Sequence, residues 1–418
     1  MKVFKFGGAS VKDAESVRNI PVILENYKTD KLLIIISAMG KTTNGLEELC
    51  RAAFDKDPSA NHRYEEIRSY HYKIADELFP DKKKEVFTHL NELFREIEEI
   101  IHSAGISDYD KFYDQIVSFG ELLSTRIISE HLNDAGLKNI WLDARELIAT
   151  NKTYRAAKID WEATQQKISE RAKPELEQGN IVISQGFIGS DGTYTTSLGR
   201  EGSDFSAAIF AHTLDAEEVV VWKDVPGYMN ADPKYVDDTV KLDKISYMES
   251  IELAFYGAKI IHPKTIRPLK NKGIPLIVKS FLSPDEPGSV IGEDLSSDAL
   301  TPSCIFKEDQ VLISISSRDF SFIAEDHLHN IFGLFSKHRI SINLMQNSAI
   351  SFSVCVDNSS RLKGLINDLH KDFHVKYNEN LQLITIRYYN QPTIDKLTGN
   401  KEILLEQKSR MTLQMIVK

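Results

Sequence analysis

Cysteine is almost missing from this chain: Cys50, Cys304 and Cys355 are the three thiols in 418 residues. Their spacing matches no metal-ligand pattern, and a sparse, odd count suits a reducing cytosol rather than a disulfide framework. No stretch approaches the ~18 consecutive apolar residues of a membrane span, so no membrane partner is expected. The opening Met-Lys-Val-Phe-Lys-Phe alternates like a strand and lacks the apolar region of a secretion signal, which leads us to expect a cytoplasmic protein. Positive charge is in deficit, with 51 Lys and Arg against 61 Asp and Glu and a net charge of -10. That balance argues against nucleic acid as a partner. A polyanionic substrate such as a nucleotide would need a local cationic pocket together with Mg²⁺.

What is present is ordinary for a globular chain, 42% hydrophobic and 27% charged. The length exceeds a single hydrophobic core, so two or three domains are expected. Chemistry is concentrated at Ser197–Ala208, Ser-Leu-Gly-Arg-Glu-Gly-Ser-Asp-Phe-Ser-Ala-Ala. A glycine-rich turn feeding a helix offers unpaired N–H groups and a positive dipole end to phosphate oxygens. The plain alternative is an N-capped helix start.

Upstream, an alternating strand at 2–6 breaks at Gly7-Gly8, with Lys5 at its end. Ser10 is read as the start of the next helix, with Asp13 as its capping-box partner. The run Leu32-Leu33-Ile34-Ile35-Ile36 reads as a strand buried on both faces of a parallel sheet. It ends in a polar turn, Ser37 to Asn44. Gly40-Lys41-Thr42 imitates the tail of a P-loop, but Ile35 stands where the first glycine must be, which excludes that motif.

Charged helices follow to about Ser103, with Lys82-Lys83-Lys84-Glu85 and Glu96-Ile97-Glu98-Glu99 as solvated faces. Gly120 inside the helix from about Phe112 suggests close approach of a neighbour. Glu121 either points into that space or lies on the surface. Strands at 140–142, 180–188, 218–222 and 274–278 alternate with helices, which implies a mainly parallel sheet covered on both faces. Ligands then lie at the carboxyl ends of the strands, where Lys5, Ser37, Asp143, Phe187 and Asp224 fall.

Past Leu282 the chain becomes loop-like, and the remainder has the rhythm of a βαββαβ unit followed by a shortened second copy. Ile342–Ser348 is echoed by Ile403–Ser409, and Leu312–Ile315 by Leu383–Ile386. The second copy must have its sheet completed by the strand near Ile305, by the first copy or by another subunit.

Together these pieces resemble an aspartate kinase of the amino-acid kinase family. The resemblance rests on Lys5-Phe6-Gly7-Gly8-Ala9-Ser10-Val11, the Ser37–Asn44 turn, Ser118-Phe119-Gly120-Glu121, Gly186-Phe187-Ile188-Gly189, Ser197–Asp204, Asp224-Val225-Pro226-Gly227 and Gly257-Ala258-Lys259-Ile260-Ile261-His262-Pro263, all in order. It implies a three-layer α/β/α catalytic domain at 1–292 and ferredoxin-like ACT sensors at 303–378 and, truncated, at 379–418. It also implies transfer of the γ-phosphoryl of ATP to the side chain of L-aspartate, with Mg²⁺ carried by the nucleotide rather than by a protein metal site. By resemblance, Lys5 and Lys259 neutralise the phosphates, Asp204 orients them, and Ser203 lies beside the reacting groups. Phe6, Gly7, Gly8, Lys223, Asp224, Met229, Lys234 and Ile260 would contact ATP. Ser37, Thr43, Glu121, Phe187 and Arg200 would bind aspartate, with Glu121 on the α-ammonium and Arg200 on the α-carboxylate.

An amino-acid effector, lysine or threonine, is expected at Ser341, Ile342, Asn343 and Gln346 with the 317–324 loop, and a homodimer or higher oligomer is expected. No homoserine dehydrogenase half is expected after Lys418. Met229 and Lys234 replace the family's usual tyrosine and arginine, and Asn343 replaces an aspartate found in lysine-inhibited relatives. Glu201 stands where glycine is usual, and we expect it to turn away from the phosphates. The rival readings are a kinase for another small carboxylate or a nucleoside monophosphate, and a non-catalytic amino-acid sensor.

Overall fold

A computed structural model describes every residue except Lys82, Lys83, Ala104, Gly105, Phe320 and Asn400. The solvated-face reading at Lys82-Lys83 and the Phe320 position of the 317–324 loop therefore lie outside the described residues. The chain divides into two compact units, Met1–Tyr228 with Asp243–Ile251 and Ile260–Leu295, and Met229–Leu242 with Glu252–Lys259 and Ser296–Lys418.

The first unit is built on an eight-stranded sheet. In spatial order its strands are Lys244–Ser246, Ser289–Gly292, Leu276–Ser280, Glu218–Lys223, Lys2–Phe6, Leu32–Ile36, Ile181–Gln185 and Asn139–Trp141. Every pairing is parallel except that of Leu276–Ser280 with Ser289–Gly292. Leu32–Ile36 is buried throughout, as a strand covered on both faces must be.

Alternation along Lys2–Phe6 sends Phe4 and Phe6 into the core with Ile34 and Ile36, packed against the helices between Ala14 and Asp134. Val3 and Lys5 face the other way. On that side lies the helix Gly202–Thr213, buried around nearly its whole circumference. A helix apolar on all sides belongs in an interior.

Two local readings are corrected. The helix expected at Ser10 begins at Ala14, because Asp13 takes the cap and accepts from Ser16 N at 2.8 Å. Ser10 instead sits in a 3₁₀ turn, its hydroxyl donating to Trp222 O at 3.0 Å. The helix from Phe112 is two helices, Tyr109–Val117 and Phe119–Asp134, so Gly120 lies in a first turn rather than an interior. The close approach is real, since a Cβ there would lie 2.8 Å from the Ala38 Cβ.

The second unit carries one six-stranded antiparallel sheet, ordered Ile342–Asn347, Ser351–Asp357, Ser303–Ser317, Phe373–Arg387, Thr412–Val417 and Ile403–Lys408. Two long strands run through both repeats. Leu312–Ser317 pairs with Phe373–Asn378 in the first repeat, while Ser303–Lys307 pairs with Leu383–Arg387 in the second. The strand around Ile305 thus completes the shortened copy. Among the described residues no helix is long and apolar enough to cross a membrane, and all three cysteines are buried and unpaired.

Candidate active site

At the carboxyl ends of Lys2–Phe6, Leu32–Ile36 and Glu218–Lys223 the first unit opens a cavity of about 590 Å³. Its wall includes Lys5, Gly8, Ser37, Thr43, Glu121, Phe187, Arg200, Ser203, Asp204 and Lys223. Ten residues singled out from the sequence therefore share one space.

The floor follows from close packing. A Cβ on Gly8 would stand 2.8 Å from Ala38 O and 3.0 Å from Gly40 O, so only glycine lets these two turns meet. Gly40 N donates to Gly8 O at 3.0 Å and holds them together. A Cβ on Gly7 would lie 3.3 Å from the Lys5 ammonium and crowd it. Phe6 itself turns into the core, stacked 6.0 Å from Trp222, so it offers a ligand only its backbone.

The helix Gly202–Thr213 aims its N-terminus into this cavity. No side chain caps it, which leaves its first N–H groups to a ligand. The turn before it is forced. Phe187 and Glu201 both adopt left-handed backbone, with φ of 67° and 53°. Gly186 packs so tightly that a Cβ would lie 2.5 Å from the Ser203 Cβ. Ser206 Oγ accepts from Phe187 N at 2.9 Å and pins that strand end to the helix.

Charge is arranged around Asp204. Lys5 Nζ lies 2.6 Å from its Oδ1 and Lys223 Nζ 3.7 Å from its Oδ2. Burial pushes the Asp204 carboxyl up, but the two ammonium groups hold it below the ordinary carboxylate range. Lys223 also donates to Ile260 O. Two cations and a helix N-terminus thus converge on the space above Asp204, which suits phosphate oxygens.

Glu121 lies across the cavity and is only 3% exposed. Its Oε1 accepts from Ala38 N at 3.2 Å, while its Oε2 has no partner. Burial pushes this carboxyl up to about 8, offset only in part by the Ala38 amide and Lys5. A buried carboxyl group with one oxygen unpartnered is ready for a ligand cation. Arg200 is exposed at the mouth, its guanidinium able to take a carboxylate.

Glu201 departs from expectation. It lines the cavity, and its Oε2 is enclosed without a partner. Its charge adds to the burial and the Glu249 charge that raise the Tyr228 phenol.

Several organising residues are not apparent in the sequence. Buried Asp114 accepts from Ser197 N at 2.8 Å, Ser197 Oγ at 2.5 Å and Arg155 N at 3.0 Å, fixing both loops that border Arg200. Glu47, Tyr113 and Arg155 complete the wall, with Tyr113 donating to Glu47 at 2.5 Å and the Arg155 guanidinium 4.3 Å from the Tyr113 ring centre. The single charge in Phe112–Val117, Phe-Tyr-Asp-Gln-Ile-Val, was the available signal. Asp224 is exposed beyond the strand Glu218–Lys223. Lys259, Met229 and Lys234 fall in the second unit.

Within that unit, Asn343 is fully engaged. Its Oδ1 accepts from Lys307 Nζ at 2.8 Å, and its Nδ2 donates to Gln310 at 2.8 Å and Asp357 at 2.9 Å. Ser341 and Gln346 are exposed and Ile342 is half-buried.

Comparison with known proteins agrees with this geometry. A family model described as the amino acid kinase family matches residues 1–280. Lysine-sensitive aspartokinase 3 of Escherichia coli is 31% identical over 363 residues, covering 85% of this chain and 78% of that protein. Chloroplastic aspartokinase 1 of Arabidopsis thaliana is 32% identical over 371 residues, 85% of this chain but 63% of that longer protein. The structure of E. coli aspartokinase III in complex with lysine and aspartate superposes with a TM-score of 0.83 at 26% identity, covering 100% of this chain and 96% of that one. The form with aspartate and ADP gives a TM-score of 0.81 at 26% identity, with the same coverage. The chain belongs to the amino acid kinase family and, within it, to the aspartokinases.

Proposed function

We propose that this chain is an ATP-dependent kinase that phosphorylates the side-chain carboxylate of L-aspartate, the entry step to lysine, threonine and methionine. The observation that carries this reading is the Lys5–Asp204–Lys223 cluster at an uncapped helix N-terminus, facing a wall that holds both a buried carboxyl group with one unpartnered oxygen and an arginine.

A carboxylate oxygen of aspartate attacks the γ-phosphorus, the new P–O bond forms, and the bridging bond to the β-phosphate breaks to release ADP. The nucleophile is already ionised at neutral pH, so no general base is required. Positioning and charge neutralisation supply the catalysis. Lys5 stabilises charge on the transferring group and Lys259 acts with it. Asp204 holds Lys5 in place, and the Gly7–Gly8 backbone with Ser203 lets the phosphates approach. Lys223, Asp224, Met229, Lys234 and Ile260 contact the nucleotide.

Glu121 takes the α-ammonium of aspartate and Arg200 its α-carboxylate, while Ser37, Thr43 and Phe187 shape the remainder. Among the described residues no cluster of three or more metal-ligating side chains occurs. Mg²⁺ would be held there by phosphate oxygens and water rather than by a protein cage. Bound there, it would neutralise phosphate charge.

The same reading places a catalytic domain at 1–292 and ACT-like domains at 303–378 and 379–418 in a cytoplasmic homo-oligomer, with an end-product amino acid read at Ser341–Gln346. Lys307 and Asp357 both hold Asn343 there, so the position offers a cation and an anion to a bound amino acid, lysine or threonine. Hydroxylamine trapping tests the reaction: ATP with L-aspartate should give a hydroxamate, and L-glutamate should give little. Hydroxamate from glutamate alone would refute the substrate assignment.

A further inference from the structure

Behind the catalytic helix, within the first unit, lies a second cavity of about 620 Å³. It is walled by the loop at 156–159, Trp161 at the start of the helix Trp161–Glu177, Phe205 and His212 of Gly202–Thr213, and Lys264, Arg267 and Pro268 of Pro263–Lys270.

Its chemistry is one-sided. Lys158, Lys264 and Arg267 all line it and no carboxylate does. Among the described residues none of the three forms an ion pair. In a chain of net charge -10 such a cluster is anomalous. The opposite wall is aromatic. Trp161 is 40% exposed, with its ring centre 6.5 Å from Phe205 and 5.2 Å from His212. His212 Nδ1 is hydrogen-bonded to Pro268 O at 2.9 Å, which fixes the ring. Lys264 Nζ lies 4.7 Å from the Phe205 ring centre, and burial lowers its pKa with no acid to compensate.

We propose that this cavity is a second ligand site, for a small molecule with a planar ring and a carboxylate or phosphate group. The ring lies against Trp161 and Phe205, and the anionic group meets Lys264, Arg267 and Lys158. The site communicates with the catalytic turn. Lys264 Nζ donates to Leu198 O at 2.6 Å, and Ala157 N, from the cavity's own loop, donates to Ser197 O at 2.9 Å. An anion that draws Lys264 toward itself weakens its hold on the turn that carries Arg200 and Ser203.

The test uses the full-length protein with its catalytic cavity filled by saturating ADP and L-aspartate. Adenosine 5′-monophosphate and 3-phenylpropanoate are titrated against tryptophan fluorescence, with adenosine and 3-phenylpropanamide as uncharged controls. Trp161 is the exposed one of three tryptophans and reports the site. A saturable change is expected with one anionic probe, lost in Trp161→Leu and weakened at least tenfold in Arg267→Glu and Lys158→Glu. Without probe, both charge variants should keep wild-type kcat and aspartate KM within twofold. Response to the monophosphate alone identifies a phosphate ligand, and response to the phenylpropanoate alone a carboxylate ligand. Saturation by neither, equal response to the uncharged controls, or unchanged affinity in the charge variants overturns the proposal. Because binding is read by fluorescence, its failure leaves the kinase reading intact, and failure of the kinase reading leaves this site testable.

Discussion

Glu121 gives the sharpest pH-dependent prediction. Its carboxyl is buried, carries one unpartnered oxygen, and is raised from an ordinary 4.5 to about 8. Only the ionised form attracts the α-ammonium of aspartate. With a pKa near 8, about a tenth of the sites are ionised at pH 7 and about three quarters at pH 8.5. Aspartate KM should therefore fall about eightfold over that range, while kcat changes little because Glu121 does not touch the reacting carboxylate.

Glu121→Gln should raise aspartate KM and flatten its pH dependence, leaving ATP KM near wild type. The stability sign is opposite. A raised carboxyl favours folding below about 4.5, and that contribution is lost as pH rises towards about 8, up to ~4–5 kcal/mol at most. Wild-type melting temperature should thus drop more steeply between pH 5 and 8 than that of Glu121→Gln. Steady-state kinetics and thermal melts over the same pH series read both effects. A wild-type aspartate KM that is flat from pH 7 to 8.5 would refute the reasoning.

Other sites yield simpler outcomes. Asp204→Asn leaves the buried Lys5 ammonium, and the half-buried one of Lys223, without their carboxylate and should cost about 3 kcal/mol in chemical denaturation as well as most of kcat; unchanged stability would contradict the ion-pair geometry. Gly186→Ala presses a methyl into Ser203 and should lower kcat at least tenfold with about 1–3 kcal/mol of overpacking. Gly120→Ala, driven against Ala38, should displace the helix bearing Glu121 and raise aspartate KM more than ATP KM. Arg200→Ala should raise aspartate KM by about 2–3 kcal/mol of lost charged hydrogen bonding, and an unaltered KM would remove its assigned role. Thermal-shift screening should show stabilisation by lysine or threonine that Asn343→Ala abolishes, and stabilisation by neither would remove the effector role.

Much of the catalytic fold was readable because its signals are local. Leu32–Ile36 is a continuous apolar run, and a strand buried on both faces has no other pattern. Gly8 marks a close approach to the backbone at Ala38 and Gly40, and Gly120 a close approach to the Ala38 side chain. The alternation of Lys2–Phe6 put Lys5 on the face opposite Phe4 and Phe6, where the structure finds Asp204. What escaped depends on tertiary placement. Asp114 lies 83 residues from Ser197, and nothing in Phe112–Val117 says which loop its carboxylate will hold. Glu201 was expected to avoid the phosphates on electrostatic grounds, yet its left-handed backbone carries it to the cavity wall. At Ser10 two residue types could cap, and the choice of Asp13 rests on the 3₁₀ turn Gly8–Val11 rather than on propensity.

The central claim is that Lys5, held by Asp204, neutralises charge on the phosphoryl group in flight. Rapid-quench single turnover with γ-labelled ATP and L-aspartate measures that step in wild type and in Lys5→Met, with circular dichroism and ADP titration as checks on fold and binding. The account predicts transfer to aspartate slowed by about 10²–10³ with ADP and aspartate affinities within a few fold of wild type. Transfer at the wild-type rate in a folded Lys5→Met enzyme would contradict it.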